Sequence, residues 1–199
     1  MSDNKRMSVA IPLTKVRVAL FGTHPKQFNG YSKVVYELSK ELAVRHTDIE
    51  FHVFGFQSFH NHPAHRLDVP IEVQVYDAHA EENPKAQGFG FTLARAYVER
   101  IKPDVCVIFN DFMVLTNIMN EIHKASNRSS FKILAYLDQV YLCQKPEFIE
   151  NLNKTADGTI AFTPYWRDCI KWQGMTLPCH YLQHGFNPSV YFPIPRKIV

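Results

Sequence analysis

No stretch of this 199-residue sequence approaches the roughly 18–20 consecutive apolar residues that a membrane-crossing helix requires. The opening dozen residues, Met1 to Pro12, lack the apolar run of a secretory leader, so a loose tail over 1–14 and a cytoplasmic protein are expected. No C-x-x-C pair exists. Cys106, Cys143, Cys169 and Cys179 lie far apart, which fits a reducing compartment better than a disulfide framework. Charge is nearly balanced, with 22 basic against 19 acidic side chains and a formal +3. Like charges form no block, so neither nucleic acid nor an anionic membrane surface is indicated. Walker loops, G-x-G-x-x-G fingerprints and D-x-D pairs are all missing.

What is present is apolar and periodic: 46% of the residues are hydrophobic, enough for a sizeable core. The chain is organised around its first strand, loop and helix. Val16-Arg17-Val18-Ala19-Leu20-Phe21 reads as a buried strand. A loop from Gly22 to Gly30 follows, with two glycines able to take positive φ. Tyr31 to Leu42 then sets Val34, Val35, Leu38 and Leu42 on one face at helical spacing. A helix start directly after a glycine loop aims N–H groups and partial positive charge at whatever lies over the loop, which suits a phosphate.

Further strands are predicted at 50–56, 71–76, 104–109, 132–137, 159–163 and 179–182. Helices are predicted at 91–101, 113–123, 146–152 and 165–172, with a polar loop over 77–88. The run Val105-Cys106-Val107-Ile108-Phe109 shows no alternation, so Val105, Val107, Ile108 and Phe109 are expected to be closed off from solvent on both faces. His60, His62 and His65 follow a spacing that invites a zinc reading. With no fourth ligand nearby and Pro63 breaking any helix, a metal is not expected there.

Alternating strands and helices predict an α/β, Rossmann-like, doubly wound domain with a mainly parallel sheet. In such sheets ligands gather at the carboxyl ends of the strands. That rim would collect the Gly22–Gly30 loop, Asn110 and Asp111, Asp138, Thr163, and His184 with Gly185.

The motifs along the rim resemble the N-terminal half of a GT-B glycosyltransferase of the family 4 type. Phe28-Asn29-Gly30-Tyr31-Ser32, leading into Val34-Val35-x-x-Leu38, is similar to that family's glycine loop and first helix. Lys102-Pro103-Asp104-Val105 resembles its entry into a buried strand, and Ala156-Asp157-Gly158-Thr159-Ile160 another of its strands. His184-Gly185-Phe186-Asn187 with Val190-Tyr191-x-Pro193 is similar to its interdomain linker. Phe109-Asn110-Asp111 and Tyr136-Leu137-Asp138 resemble glycosyltransferases of large DNA viruses in particular. Two departures stand out. Leu137-Asp138 takes the place where the family often carries a histidine, and no two glutamates follow E-x7-E spacing.

The resemblance implies an acceptor-side domain over 15–184 and a linker over 185–199 toward a donor-binding C-terminal domain, supplied in cis or trans. It implies a retaining hexosyltransferase that moves sugar from a nucleotide-diphosphate donor to an acceptor glycan hydroxyl, without a cofactor and without a D-x-D metal. Gly22, Asn29, Gly30 and Tyr31 would face the donor diphosphate. Asn110, Asp111, Asp138 and His184 would hold substrate, with Asp138 the catalytic candidate. The 199-residue chain by itself would be inactive or nearly so. Two alternatives stay open: a Rossmann-type nucleotide-binding protein, and a non-catalytic glycan-binding module.

Overall fold

In the computed structural model, residues 15–59, 69–83, 85–185 and 188 are described. The His60, His62 and His65 loop, the 1–14 tail and most of the 185–199 linker lie outside them. Seven strands form one sheet: β1 (Val16–Thr23), β2 (Ile49–Phe56), β3 (Gln74–Asp77), β4 (Val105–Asn110), β5 (Lys132–Leu137), β6 (Gly158–Ala161) and β7 (Cys179–Tyr181). All neighbours pair in parallel, in the order β3-β2-β1-β4-β5-β6-β7. The helices are α1 (Gly30–Arg45), α2 (Ala78–Glu81), α3 (Phe91–Ile101), α4 (Phe112–His123), α5 (Pro146–Thr155) and α6 (Pro164–Trp172). None among the described residues is long and apolar enough to cross a membrane. The α/β, Rossmann-like parallel sheet expected from the sequence is what the chain forms.

The two faces of the sheet are covered unequally. Ala19, Phe21, Phe54, Cys106, Ile108, Ile133, Ala135 and Leu137 point into one core, closed by α3, α4 and α5. Leu20, Val53, Phe109 and Tyr136 point the other way, toward α1. Val105 and Val107 share that second face and stay partly open, as do Leu134 and Ile160. This corrects the expectation for β4: Ile108 and Phe109 are closed off, Val105 and Val107 are not. An unbroken apolar run signals burial on both sides, but α1 lies chiefly over β1 and β2 and leaves the far side of its face thinly covered.

Close approach seats α1. A Cβ at Gly22 would come within 2.5 Å of Val35 Cγ2, so only glycine lets the helix rest this deeply on β1. Neither Gly22 nor Gly30 has positive φ, contrary to the sequence reading; the positive-φ glycines are Gly88, Gly90 and Gly174. On the helix the fully buried positions are Ser32, Val35 and Ser39, while Val34, Leu38 and Leu42 are half-buried. The small serines permit the contact, and Ser39 Oγ satisfies itself on the Val35 carbonyl at 2.6 Å.

Other boundaries shift for local reasons. Ile71 is 96% exposed in a turn, so β3 begins only at Gln74. Asp77 caps the short α2 through Ala80 N–H, inside what reads as loop. Phe162 and Thr163 fall beyond β6, because Thr163 Oγ1 accepts from Trp166 N–H and caps α6. At the amino end of the sheet Asp104 accepts from Arg17 N–H at 2.7 Å. Asp157 there accepts from Arg128 Nη2 at 2.9 Å, Lys132 Nζ at 3.1 Å and Ile133 N–H at 2.9 Å.

Candidate functional site

Strand order reverses between β1 and β4, the place where open parallel sheets leave a crevice at their carboxyl ends. A cleft of about 450 Å³ lies there, lined by Asn29, Gly30, Tyr31, Val34, Phe109, Asp138, Phe162 and His184. Residues from five separate parts of the sequence therefore meet at one place.

Helix α1 supplies one wall. Asn29 caps it: Asn29 Oδ1 accepts from Ser32 N–H at 2.8 Å, and Asn29 N–H donates to Ser32 Oγ at 3.2 Å. The Asn29 side-chain oxygen is thus engaged by the helix start, while the residue also lines the cleft. Gly22 lies outside the cleft lining and seats Val35. What α1 offers the cleft is the pair of first-turn amides, Gly30 and Tyr31, which have no intrahelical acceptor. The space where a Gly30 side chain would stand is empty to 4 Å.

The β5 end supplies the charge. Asp138, at the carboxyl end of β5, is held by its own N–H on the Asn110 carbonyl at 3.2 Å. The Tyr31 hydroxyl donates to the Asp138 carboxylate, and burial, that hydrogen bond and the charges of Asp138 and Asp111 all push the phenol's pKa up. Tyr31 therefore ties the start of α1 to the end of β5. Asp111 Oδ1 caps α4 through Val114 N–H at 3.0 Å, and Asp111 borders a smaller hollow that it shares with Asp138, Phe112, Tyr141 and Phe148. Asn110 is buried at the end of β4 and lies outside the cleft lining. Of the four expected substrate contacts, Asp138 and His184 share the cleft and Asn110 and Asp111 do not.

The floor is aromatic, and apart from His184 the sequence reading assigned its rings no role. Phe109, Tyr136, Phe162 and His184 form one cluster with ring centroids 4.2–6.2 Å apart. Tyr31 extends it, 5.7 Å from Phe109. Phe109 and Tyr136 pair directly across β4 and β5. The signal available in the sequence was the shared parity of these large rings near successive strand ends. The Tyr136 hydroxyl meets His184 Nε2 at 2.6 Å. Burial, then the Asp138 charge, pushes the Tyr136 phenol up to about 12. His184 is exposed as a residue, yet its ring edge lies against the cluster. That partial loss of hydration pulls the imidazole below the ordinary 6.5, with Asp138 pulling the other way.

His24 and Lys26 turn to a different cleft of about 460 Å³, shared with Ser58 and Asp77 at the ends of β1, β2 and β3. His24 is buried, its Nε2 lies 4.0 Å from Asp77 Oδ2, and a Cβ at Gly55 would strike its ring at 2.7 Å. Among the described residues no group of three or more His, Cys, Asp or Glu is placed to hold a metal ion.

No family model matches the chain. No curated protein matches it either. Among solved structures it is similar to HepE (Alr3699) of Anabaena in complex with UDP-glucose, with a TM-score of 0.54 at 11% identity. The similarity covers 92% of this chain and 47% of HepE, so the chain spans about half the length of that neighbour. At this identity the likeness is one of fold.

Proposed function

We propose that this chain forms the acceptor-side half of a glycosyltransferase that uses a nucleotide-diphosphate sugar. The observation that carries the reading is the meeting, at the switch point of the sheet, of the α1 amino terminus with Asp138 and His184. The same fold in HepE, solved with UDP-glucose, supports a nucleotide sugar as the ligand class.

The chemistry follows from charge. When a sugar leaves a nucleoside diphosphate, negative charge builds on the departing phosphate. The Gly30 and Tyr31 amides and the α1 dipole are fixed in advance and stabilise that charge without reorganising. Asp138 is acceptor-only when ionised, with one lobe engaged by Tyr31, and it holds a sugar hydroxyl by a charge-assisted hydrogen bond. The aromatic floor carries the apolar face of a sugar ring. Transfer proceeds with retention of configuration, onto a glycan hydroxyl, once a second domain in cis or trans closes the opposite wall. Orientation and water exclusion supply about 7–11 kcal/mol of such barriers, so this half by itself turns over far more slowly than the completed site.

Calorimetric titration of the 199-residue chain with UDP-glucose, ADP-glucose and GDP-mannose tests the reading. Binding of at least one is expected, weakened about tenfold or more by Asp138→Ala, a loss of the size expected for a hydrogen bond to a charged group. Free nucleotide binding as tightly as every nucleotide sugar would favour a plain nucleotide-binding protein. Equal affinity in Asp138→Ala would return that carboxylate to a structural role.

A further inference from the structure

The Tyr136–His184 pair fixes more than a distance. A tyrosine hydroxyl can donate or accept, whereas a neutral imidazole carries its one proton on either nitrogen. Tyr136 is 2% exposed, and His184 Nε2 is the partner its hydroxyl meets, at 2.6 Å. Were Nε2 the protonated nitrogen, it would donate to the Tyr136 oxygen, and the phenol's own hydrogen would have no acceptor among the described residues. An orphaned buried donor carries the full desolvation penalty. The arrangement that leaves nothing orphaned has Tyr136 donating to a bare Nε2. The imidazole proton then sits on Nδ1, which has no hydrogen-bond partner among the described residues. The ring lines both the 450 Å³ cleft and an adjoining groove against α1.

We infer that Tyr136 is a positioning residue that locks His184 in its neutral Nδ1–H form, so that Nδ1–H donates to an acceptor oxygen of a bound sugar diphosphate. The inference rests on the nucleotide-sugar reading above and adds to it the identity and direction of one contact. Three features reinforce the lock. The phenol is a weak acid here, so it keeps the proton it donates. Partial burial pulls the imidazole's pKa down, which favours the uncharged ring. The rings of Phe162, 4.2 Å away, and Phe109, 6.2 Å away, pack against the imidazole. Among the described residues the ionisable groups around the ring are Asp138 and Tyr136 on the β5 side, Tyr31 at the start of α1, and Lys33, Glu37 and Glu41 of α1 along the groove. Asp138 works against neutrality, so the lock depends on Tyr136 and the two phenylalanines.

Two measurements on the intact chain test this. Long-range ¹H–¹⁵N correlation spectra, with His184 identified by its loss in His184→Gln, read the tautomer directly. In the wild type the Nδ1–H form is expected. In Tyr136→Phe the Nε2–H form should grow, a change that lost packing alone would not produce. Titration with UDP-glucose should show Tyr136→Phe weaker by about tenfold, with the UDP-glucose contact to His184 visible as a shift of the Nδ1 signal in the wild type only. A wild-type ring in the Nε2–H form overturns the inference. So does a nucleotide sugar that binds wild type and Tyr136→Phe equally, which would leave the proposed function standing. A wild type that binds no nucleotide sugar overturns that function and, with it, the ligand assigned to Nδ1–H.

Discussion

Gly22→Ala isolates the contact that seats α1. The new methyl would sit 2.5 Å from Val35 Cγ2 and 3.7 Å from the Phe109 carbonyl oxygen. Carbon atoms rest comfortably at about 3.5–4.0 Å, so α1 has to retreat by roughly 1 Å. Val35 cannot swing aside, because it is fully buried and a β-branched residue in a helix has one strongly preferred rotamer. Overpacking of this kind costs about 1–3 kcal/mol. The lower entropy of the unfolded alanine chain returns about 0.4–1 kcal/mol, since the backbone at Gly22 has no positive φ to forbid it. The net expectation is a loss of about 1–2 kcal/mol, read as a lower urea midpoint at unchanged slope. Near the melting point this equals about 2–4 °C for each kcal/mol in a chain of this size. Val35→Ala removes two methyl groups and by itself costs about 1.5 kcal/mol or more. The double variant has room for the new methyl, so its loss should fall short of the sum of the two by about 1 kcal/mol. Gly22→Ala with the wild-type midpoint, or a strictly additive double variant, would refute the seating argument.

Two predictions concern carboxylates. Asp111→Ala should lower stability by about 1 kcal/mol through the lost α4 cap, and should leave nucleotide-sugar affinity within twofold by calorimetry, unlike Asp138→Ala. Asp157 is half-buried, which by itself would raise its pKa. Hydrogen bonds from Ile133 N–H, Arg128 and Lys132 outweigh that and hold it below the ordinary 3.8. Its contribution is therefore complete above the unfolded-state value and disappears as pH falls through the lower folded value. Urea midpoints of wild type and Asp157→Asn should differ by a constant amount above about pH 5 and converge below pH 4; a gap that widens in acid would contradict the assignment.

Much of the sheet could be read directly from the chain. β1, β2, β4 and β5 are rich in apolar and β-branched residues because parallel strands bury both faces, and that pattern is local. Their neighbours were harder. β3 and α2 depend on where the chain turns after Ile71 and on the Asp77 cap, features of one or two residues each. The site was legible in part for a physical reason: carboxyl strand ends in this fold class are ligand positions whatever the sequence. Asp138, Gly30, Tyr31 and His184 were placed at the rim on that ground, and they line one cleft. Asn29 and Asp111 sat at the same rim, but Asn and Asp also cap helices well, and only hydrogen-bond partners separate the two uses. Lys102-Pro103-Asp104 and Asp157 belong to motifs that led to the family resemblance, yet they tie the opposite end of the sheet together. The Tyr136–His184 contact joins residues 48 positions apart and could not be foreseen from spacing.

The unequal covering of the sheet also bears on how the strands find their alignment. β4 is apolar at nearly every position, so its composition alone does not say which residues belong on which side. A slip of one residue against β1 and β5 would turn Cys106 and Ile108 toward the thinly covered face and press Val105 and Val107 into the closed one. On a sheet sealed equally on both sides that exchange would be nearly neutral. Here it strands two fully buried side chains in a half-open setting and forces β-branched ones into a core shaped for others. The open side thus works as a ruler during folding: by being incomplete, it gives the correct alignment an energetic margin over its nearest competitor.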